Sequence, residues 1–114
     1  MKERVVQFGD SKRLVGIITH PKQAPDASRP GILLLNAGII HRVGAHRLNV
    51  KLARFFAEAG YATLRFDLSG IGDSRPSRTG AGYEMQAVHD IQAALDCLKS
   101  ETSCERAISV GICS

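Results

Sequence analysis

The chain has 114 residues, of which 44% are hydrophobic, 23% charged and 5% aromatic, with a formal net charge of +4 at pH 7. These are globular proportions, and the length allows at most one small domain. The basic residues are scattered and aromatics are sparse, which excludes a nucleic-acid surface, and no run approaches the ~20 apolar residues that a membrane span needs.

The chain opens Met-Lys-Glu-Arg and moves directly into a strand-like run, so no secretory leader is expected. Its three cysteines, Cys97, Cys104 and Cys113, are odd in number and lack paired metal-ligand spacing. A reduced, cytoplasmic compartment is the expectation, with no metal site and no cofactor.

Residues 3–8 and 13–19 are β-favouring runs separated by Gly9-Asp10-Ser11-Lys12, whose residues suit a turn, so they predict a hairpin. Residues 20–30 contain three prolines and read as a surface connection. Gly31-Ile32-Leu33-Leu34-Leu35 is a continuous apolar run, which predicts a strand at 31–36 covered on both faces. It leads into Asn36-Ala37-Gly38-Ile39-Ile40-His41-Arg42, a loop whose small residues allow backbone to come close to a ligand.

Leu48, Leu52, Phe55, Phe56 and Ala59 recur at helical spacing and predict a helix at 47–59, capped by Gly60. A strand follows at 61–66, then the glycine-marked loop Asp67-Leu68-Ser69-Gly70-Ile71-Gly72-Asp73-Ser74. Met85, Val88, Ile91, Leu95 and Leu98 describe a second amphipathic helix at 84–99, with Ala87, Ala93 and Ala94 permitting close packing. A last strand at 106–112 enters Gly111-Ile112-Cys113-Ser114. The order β-β-β-α-β-α-β predicts an α/β protein in three layers, with a mostly parallel, helix-covered sheet after an antiparallel start. No internal repeat or low-complexity segment is present.

Three segments together resemble the amino-terminal half of an α/β-hydrolase. Asn36-Ala37-Gly38-Ile39 stands where that superfamily has its oxyanion loop. Asp67-x-x-Gly70-x-Gly72-x-Ser74 resembles the stretch after its fourth strand, with Ser69 in place of an arginine. Gly111-Ile112-Cys113-Ser114 resembles its nucleophile elbow, with a thiol for the usual hydroxyl as in the dienelactone-hydrolase branch. The run 36–47 followed by Leu64-Arg65-Phe66-Asp67 looks most like exosortase-system-associated hydrolases, near the serine-aminopeptidase-like branch.

The resemblance covers nearly the whole chain and implies a site. At an elbow the nucleophile sits on a strained strand-to-helix turn, and the residue two before it must be small. Gly111 meets that need for Cys113, whereas Ser114 has Ile112 at that position, so Cys113 is the candidate nucleophile. The backbone N–H of Ser114, with one from the Gly38 region, would form the oxyanion hole. In the superfamily the acid and the histidine follow the nucleophile, and His20, His41, His46 and His89 all precede it. Residues 1–114 are therefore expected to be the amino-terminal part of one hydrolase domain, truncated at the elbow and inactive alone.

The implied reaction is hydrolysis of an ester, thioester or amide of a small-molecule or acyl substrate, which the sequence does not identify. Cys97, Cys104 and a solvated His89 are read as incidental, and Asp67 as a brace for its loop. Two rival functions stand beside this one. The chain could be a non-catalytic or split-protein interaction module that needs another chain to complete its sheet. A dinucleotide domain is the other, but Gly70-Ile71-Gly72 lacks the third glycine, Arg75 standing in its place.

Overall fold

The computed structural model describes residues 2–22, 28–36, 48–67 and 83–112. In chain order these form β1 (Lys2–Phe8), a 3₁₀ turn (Asp10–Lys12), β2 (Leu14–His20), β3 (Gly31–Asn36), α1 (Leu48–Glu58), β4 (Thr63–Asp67), α2 (Tyr83–Thr102) and β5 (Ala107–Ile112). Each expected element is present, with ends shifted by three residues at most.

The strands form one mixed sheet in the order β1-β2-β4-β3-β5. The hairpin pairs β1 with β2 antiparallel, from Lys2 opposite His20 to Phe8 opposite Leu14. β2 is antiparallel to β4, while β3 runs parallel to both β4 and β5. The chain thus steps from β3 to β4 on one side, then crosses back over β3 to place β5 on the other. Right-handed crossovers that reverse direction in this way place their helices on opposite faces of the sheet, and the packing agrees. Leu33 shares a cluster with Leu64, Phe66, Ala94 and Leu98, the last two from α2, whereas Ile32 and Leu34 pack with Ala53 of α1. Alternation along β3 therefore feeds two cores, one for each helix.

The buried faces of the helices match the sequence expectation in part: Leu52 and Phe56 of α1 and Ile91, Leu95 and Leu98 of α2 pack in the two cores. In α1 the buried residues are Asn49, Val50, Ala53 and Ala57, while Phe55 is 66% exposed and Ala59 is exposed. Two alanines let the helix backbone approach the sheet more closely than a phenylalanine would, so the small face turns inward and Phe55 outward. In α2 the buried residues include Gln86, Asp90, Ala94 and Leu98, and Val88 is exposed. His89 is exposed as expected, but its neighbour Asp90 is buried. The side chain of Met85 lies outside the described residues.

α1 ends in a Schellman arrangement: Gly60 N–H donates to the Ala57 carbonyl at 3.0 Å and Tyr61 N–H to the Phe56 carbonyl at 2.9 Å. Gly60 takes φ +97°, a left-handed conformation that costs a glycine little. Arg29 closes the same end, donating from Nη1 to the Ala59 carbonyl at 2.6 Å with its guanidinium 5.4 Å from the Tyr61 ring centroid. A Cβ on Gly60 would collide with Arg29 Nη1 as well as strain the backbone. Gly60→Ala is expected to cost about 1–3 kcal/mol, read as a lower urea midpoint. A midpoint equal to the parent's would show that this cap does not hold α1.

Candidate active site

All three parallel strands deliver their carboxyl ends to one edge of the sheet. Asn36, the last residue of β3, stands opposite Asp67 of β4 on one side and Ile112 of β5 on the other. Strands lie about 4.8 Å apart, so the residue pairs that end β4 and β5 are separated by about 10 Å with β3 between them. The connections that follow the neighbouring strands β3 and β4 lead to helices on opposite faces of the sheet. In open α/β sheets that is where a crevice forms and ligands bind, outside the carboxyl ends of the strands.

Gly111, the residue expected to free space for the nucleophile, lies in β5 opposite Leu35. Cys113, Ser114 and Gly38 lie outside the described residues, as do His41, His46 and the Gly70-Ile71-Gly72 loop. Of the other histidines, His20 ends β2 at the opposite edge and His89 is exposed on α2.

Two polar clusters flank the sheet, one at this edge and one nearer the opposite end of the strands, and neither was expected from the sequence. Because β2 runs antiparallel to β4, its first residue and the preceding Arg13 lie at the same edge as Asp67. Arg13 and Asp90 are both buried, with Nη2 and Oδ1 3.7 Å apart, and Gln86 Nε2 donates to the same Oδ1 at 2.9 Å. Arg13 Nη1 also donates to the Asp10 carbonyl at 3.2 Å. The cluster clasps the hairpin turn to α2 beside the entrance of that helix. The second cluster lies on the α1 face. Arg65 of β4, 4% exposed, donates from Nη1 to Glu3 Oε2 and to Thr19 Oγ1, each at 3.0 Å. Thr19 Oγ1 donates to Glu3 Oε2, also at 3.0 Å, and Arg54 of α1 reaches Glu3 Oε1 at 3.0 Å. One carboxylate thus ties the edge strand β1 to β4, the strand that presents Asp67. A charge inside the otherwise apolar run Leu64-Arg65-Phe66 was the signal available in the sequence; its partner 62 residues away was not.

The two described cysteines lie in surroundings that disfavour a thiolate or solvent access. Burial, reinforced by Glu101 and opposed by Arg4, pushes the Cys97 thiol up to about 11. Cys104 is 8% exposed and packs in the α2-side core.

No family model and no curated protein matches this sequence. Solved structures do match. A hypothetical protein from Pseudomonas aeruginosa superposes with a TM-score of 0.78 at 25% identity, over 99% of this chain and 36% of its own. An esterase from Pyrococcus furiosus gives 0.70 at 20% identity, over 96% of this chain and 40% of its own. A dienelactone hydrolase-like promiscuous phosphotriesterase from metagenomic libraries gives 0.69 at 20% identity, over 98% and 49%.

The chain has the α/β-hydrolase fold. It spans less than half the length of these three chains. Among the described residues of this hydrolase fold, no helix is long and apolar enough to cross a membrane.

Two measurements check the local chemistry. Burial raises the Glu3 pKa, but hydrogen bonds from Arg54, Arg65 and Thr19 and the Arg65 charge outweigh it, and the net direction is down. A lowered folded-state pKa adds stability that is complete above the unfolded value of about 4.3 and is lost as pH falls through the folded value. Glu3→Gln should therefore flatten the acid limb of a stability–pH curve measured by urea unfolding; an unchanged slope would contradict the cluster's role. Cys97, protonated at neutral pH, should resist iodoacetamide at pH 7.5 in the folded chain and react once the chain is unfolded in urea.

Proposed function

We propose that this chain carries the nucleophile-bearing part of a hydrolase that cleaves an ester, thioester or amide through an acyl-cysteine intermediate on Cys113. The observation that carries the reading is the register of Asn36 against both Asp67 and Ile112. It sets Asn36, Asp67 and Ile112, described residues of the three hydrolase-like segments 36–39, 67–74 and 111–114, at one edge, which supports the reading. The resemblance of 36–47 and 64–67 supports the exosortase-associated branch. A cytoplasmic setting suits the reading, because a reducing compartment keeps a catalytic thiol free.

In this mechanism the Cys113 thiolate attacks the substrate carbonyl carbon. The Ser114 amide N–H and one from the Gly38 region receive the developing oxyanion. Collapse expels the alcohol, thiol or amine, which takes a proton, and leaves an acyl-cysteine. Water then attacks the thioester, releasing a carboxylic acid and restoring the thiol. The proton transfers need a base, and in the superfamily the acid and histidine follow the nucleophile. Residues 1–114 are therefore proposed as the first part of one hydrolase domain, acting on a small-molecule or acyl substrate only with the remainder of that domain.

The second reading, an interaction module that pairs through β5, is favoured by Ile108, which is 53% exposed on that strand. Among the described residues β5 has one strand neighbour, β3, and an open strand edge invites pairing with another chain.

The deciding experiment uses the complete domain and a p-nitrophenyl ester. Cys113→Ala should lower turnover at least 100-fold while Cys97→Ala and Cys104→Ala, once shown to be folded, retain most of it. Near-parental turnover by a folded Cys113→Ala protein would overturn the nucleophile assignment and leave the interaction module. Residues 1–114 alone should show no Cys113-dependent turnover.

A further inference from the structure

A cavity of about 360 Å³ opens at the amino-terminal edge of the parallel strands. Its wall is built from the end of β2 (His20 and Pro21), the lead into β3 (Arg29 and Pro30), Ala62 before β4, and the end of α2. β3 has six residues, so at about 3.3 Å per residue this cavity lies about 20 Å from the edge where 36–39 and 111–114 leave the sheet. It is separate from the proposed nucleophile and does not rest on that reading. Its volume falls in the range of about 300–1,000 Å³ that holds small organic ligands.

The charge of the site decides what it can take. Both helices point their carboxyl ends toward this edge, and their partial negative charge would by itself favour a cation. That charge is already met within the chain. Arg29 Nη1 donates to the Ala59 carbonyl, the Ser103 amide to the Lys99 carbonyl and the Thr102 hydroxyl to the Leu98 carbonyl. Glu101, the carboxylate of the cavity wall, is bridged by Arg4 Nη2 at 2.5 Å.

Lys2 stands opposite His20 in the β1–β2 register, Arg4 bridges Glu101 and Arg29 lines the wall, so three cations attend the one carboxylate there. Burial, then Arg4 and Lys2, lowers the His20 pKa, which favours a ring with one nitrogen donating and the other accepting. Pro21, Pro30 and Ala62 add apolar surface on the same wall.

We propose that this cavity binds a small organic carboxylate, its anionic group beside His20 and Arg29 and its hydrocarbon body against Pro21, Pro30 and Ala62. A bare inorganic anion satisfies the charge and leaves the apolar wall uncovered. An uncharged analogue covers the wall and forgoes the charge.

The test titrates butyrate into the full chain at pH 7.5 and constant ionic strength, following the His20 ring resonances and the heat of binding. Butyramide serves as the uncharged match and inorganic phosphate as the anion without a hydrocarbon body. Butyrate should give a saturable shift of His20, at least tenfold tighter than either control. His20→Gln should weaken butyrate binding at least fivefold in calorimetry with an unchanged urea midpoint. No saturable response to butyrate, or equal affinity for butyramide or phosphate, would overturn the proposal. Unaltered binding by His20→Gln would overturn the placement of the anion beside this ring.

Discussion

The burial of β3 is the constraint on which the rest of the structure depends. This strand is paired along both edges and its residues from Gly31 to Leu34 are all buried. A strand with no face in water has to be covered twice, and its alternation sends Leu33 toward α2 and Ile32 and Leu34 toward α1. At about 25 cal/mol per Å² of apolar surface, burying three leucine or isoleucine side chains contributes several kcal/mol, which exceeds what any single polar contact here can supply. Gly31 marks how tightly one cover fits: a Cβ there would lie 2.6 Å from Leu98 Cδ2 and 2.9 Å from Cys104 Sγ. The same double coverage fixes the crossover pattern, and the crossover pattern places the crevice beside Asn36.

The antiparallel strands are attached to that centre by different physics. β1 has one strand neighbour among the described residues, and its exposed Val5 contributes little to the core. Its attachment draws on Val6 and Phe8, the latter in edge-to-face contact with Phe66, and on the carboxylate of Glu3. A buried ion pair adds little net stability, because desolvation offsets much of the attraction. Removing one partner is another matter, since the remaining charge is stranded. Arg65 and Asp90 therefore act as registration devices: each tolerates the arrangement that brings its counter-charge and penalises others. Arg65 joins β4 to β1, and Asp90 joins α2 to the hairpin turn, so polar specificity is added to apolar bulk.

Between this framework and an activity stand the loops. Similarity near 20–25% identity establishes the α/β-hydrolase fold for this chain, and a fold hosts many chemistries on one scaffold. The scaffold's contribution is positional. It brings Asn36, Asp67 and Ile112 into one register row, while burial pushes the Cys97 thiol pKa up and packs Cys104 in the core.

Much of this framework was legible in the residues themselves. Apolar continuity marked 31–36 as doubly covered, and turn residues marked the hairpin before any strand was paired. These are local properties, set by backbone sterics and side-chain period. The inward face of each helix was legible only in part. Leu52 and Phe56 of α1 and Ile91, Leu95 and Leu98 of α2 join the core, while Phe55 is left in water because the alanine side of α1 lies closest to the sheet, and Val88 is exposed as well. Nothing near Asp90 and Arg65 in the chain shows that Arg13, from the hairpin turn, and Glu3, from β1, arrive beside them. The meeting of three strand ends was likewise a tertiary result. Sequence alone set Asn36, Asp67 and Ile112 in order along the chain; strand order and parallel register brought these three residues to one edge.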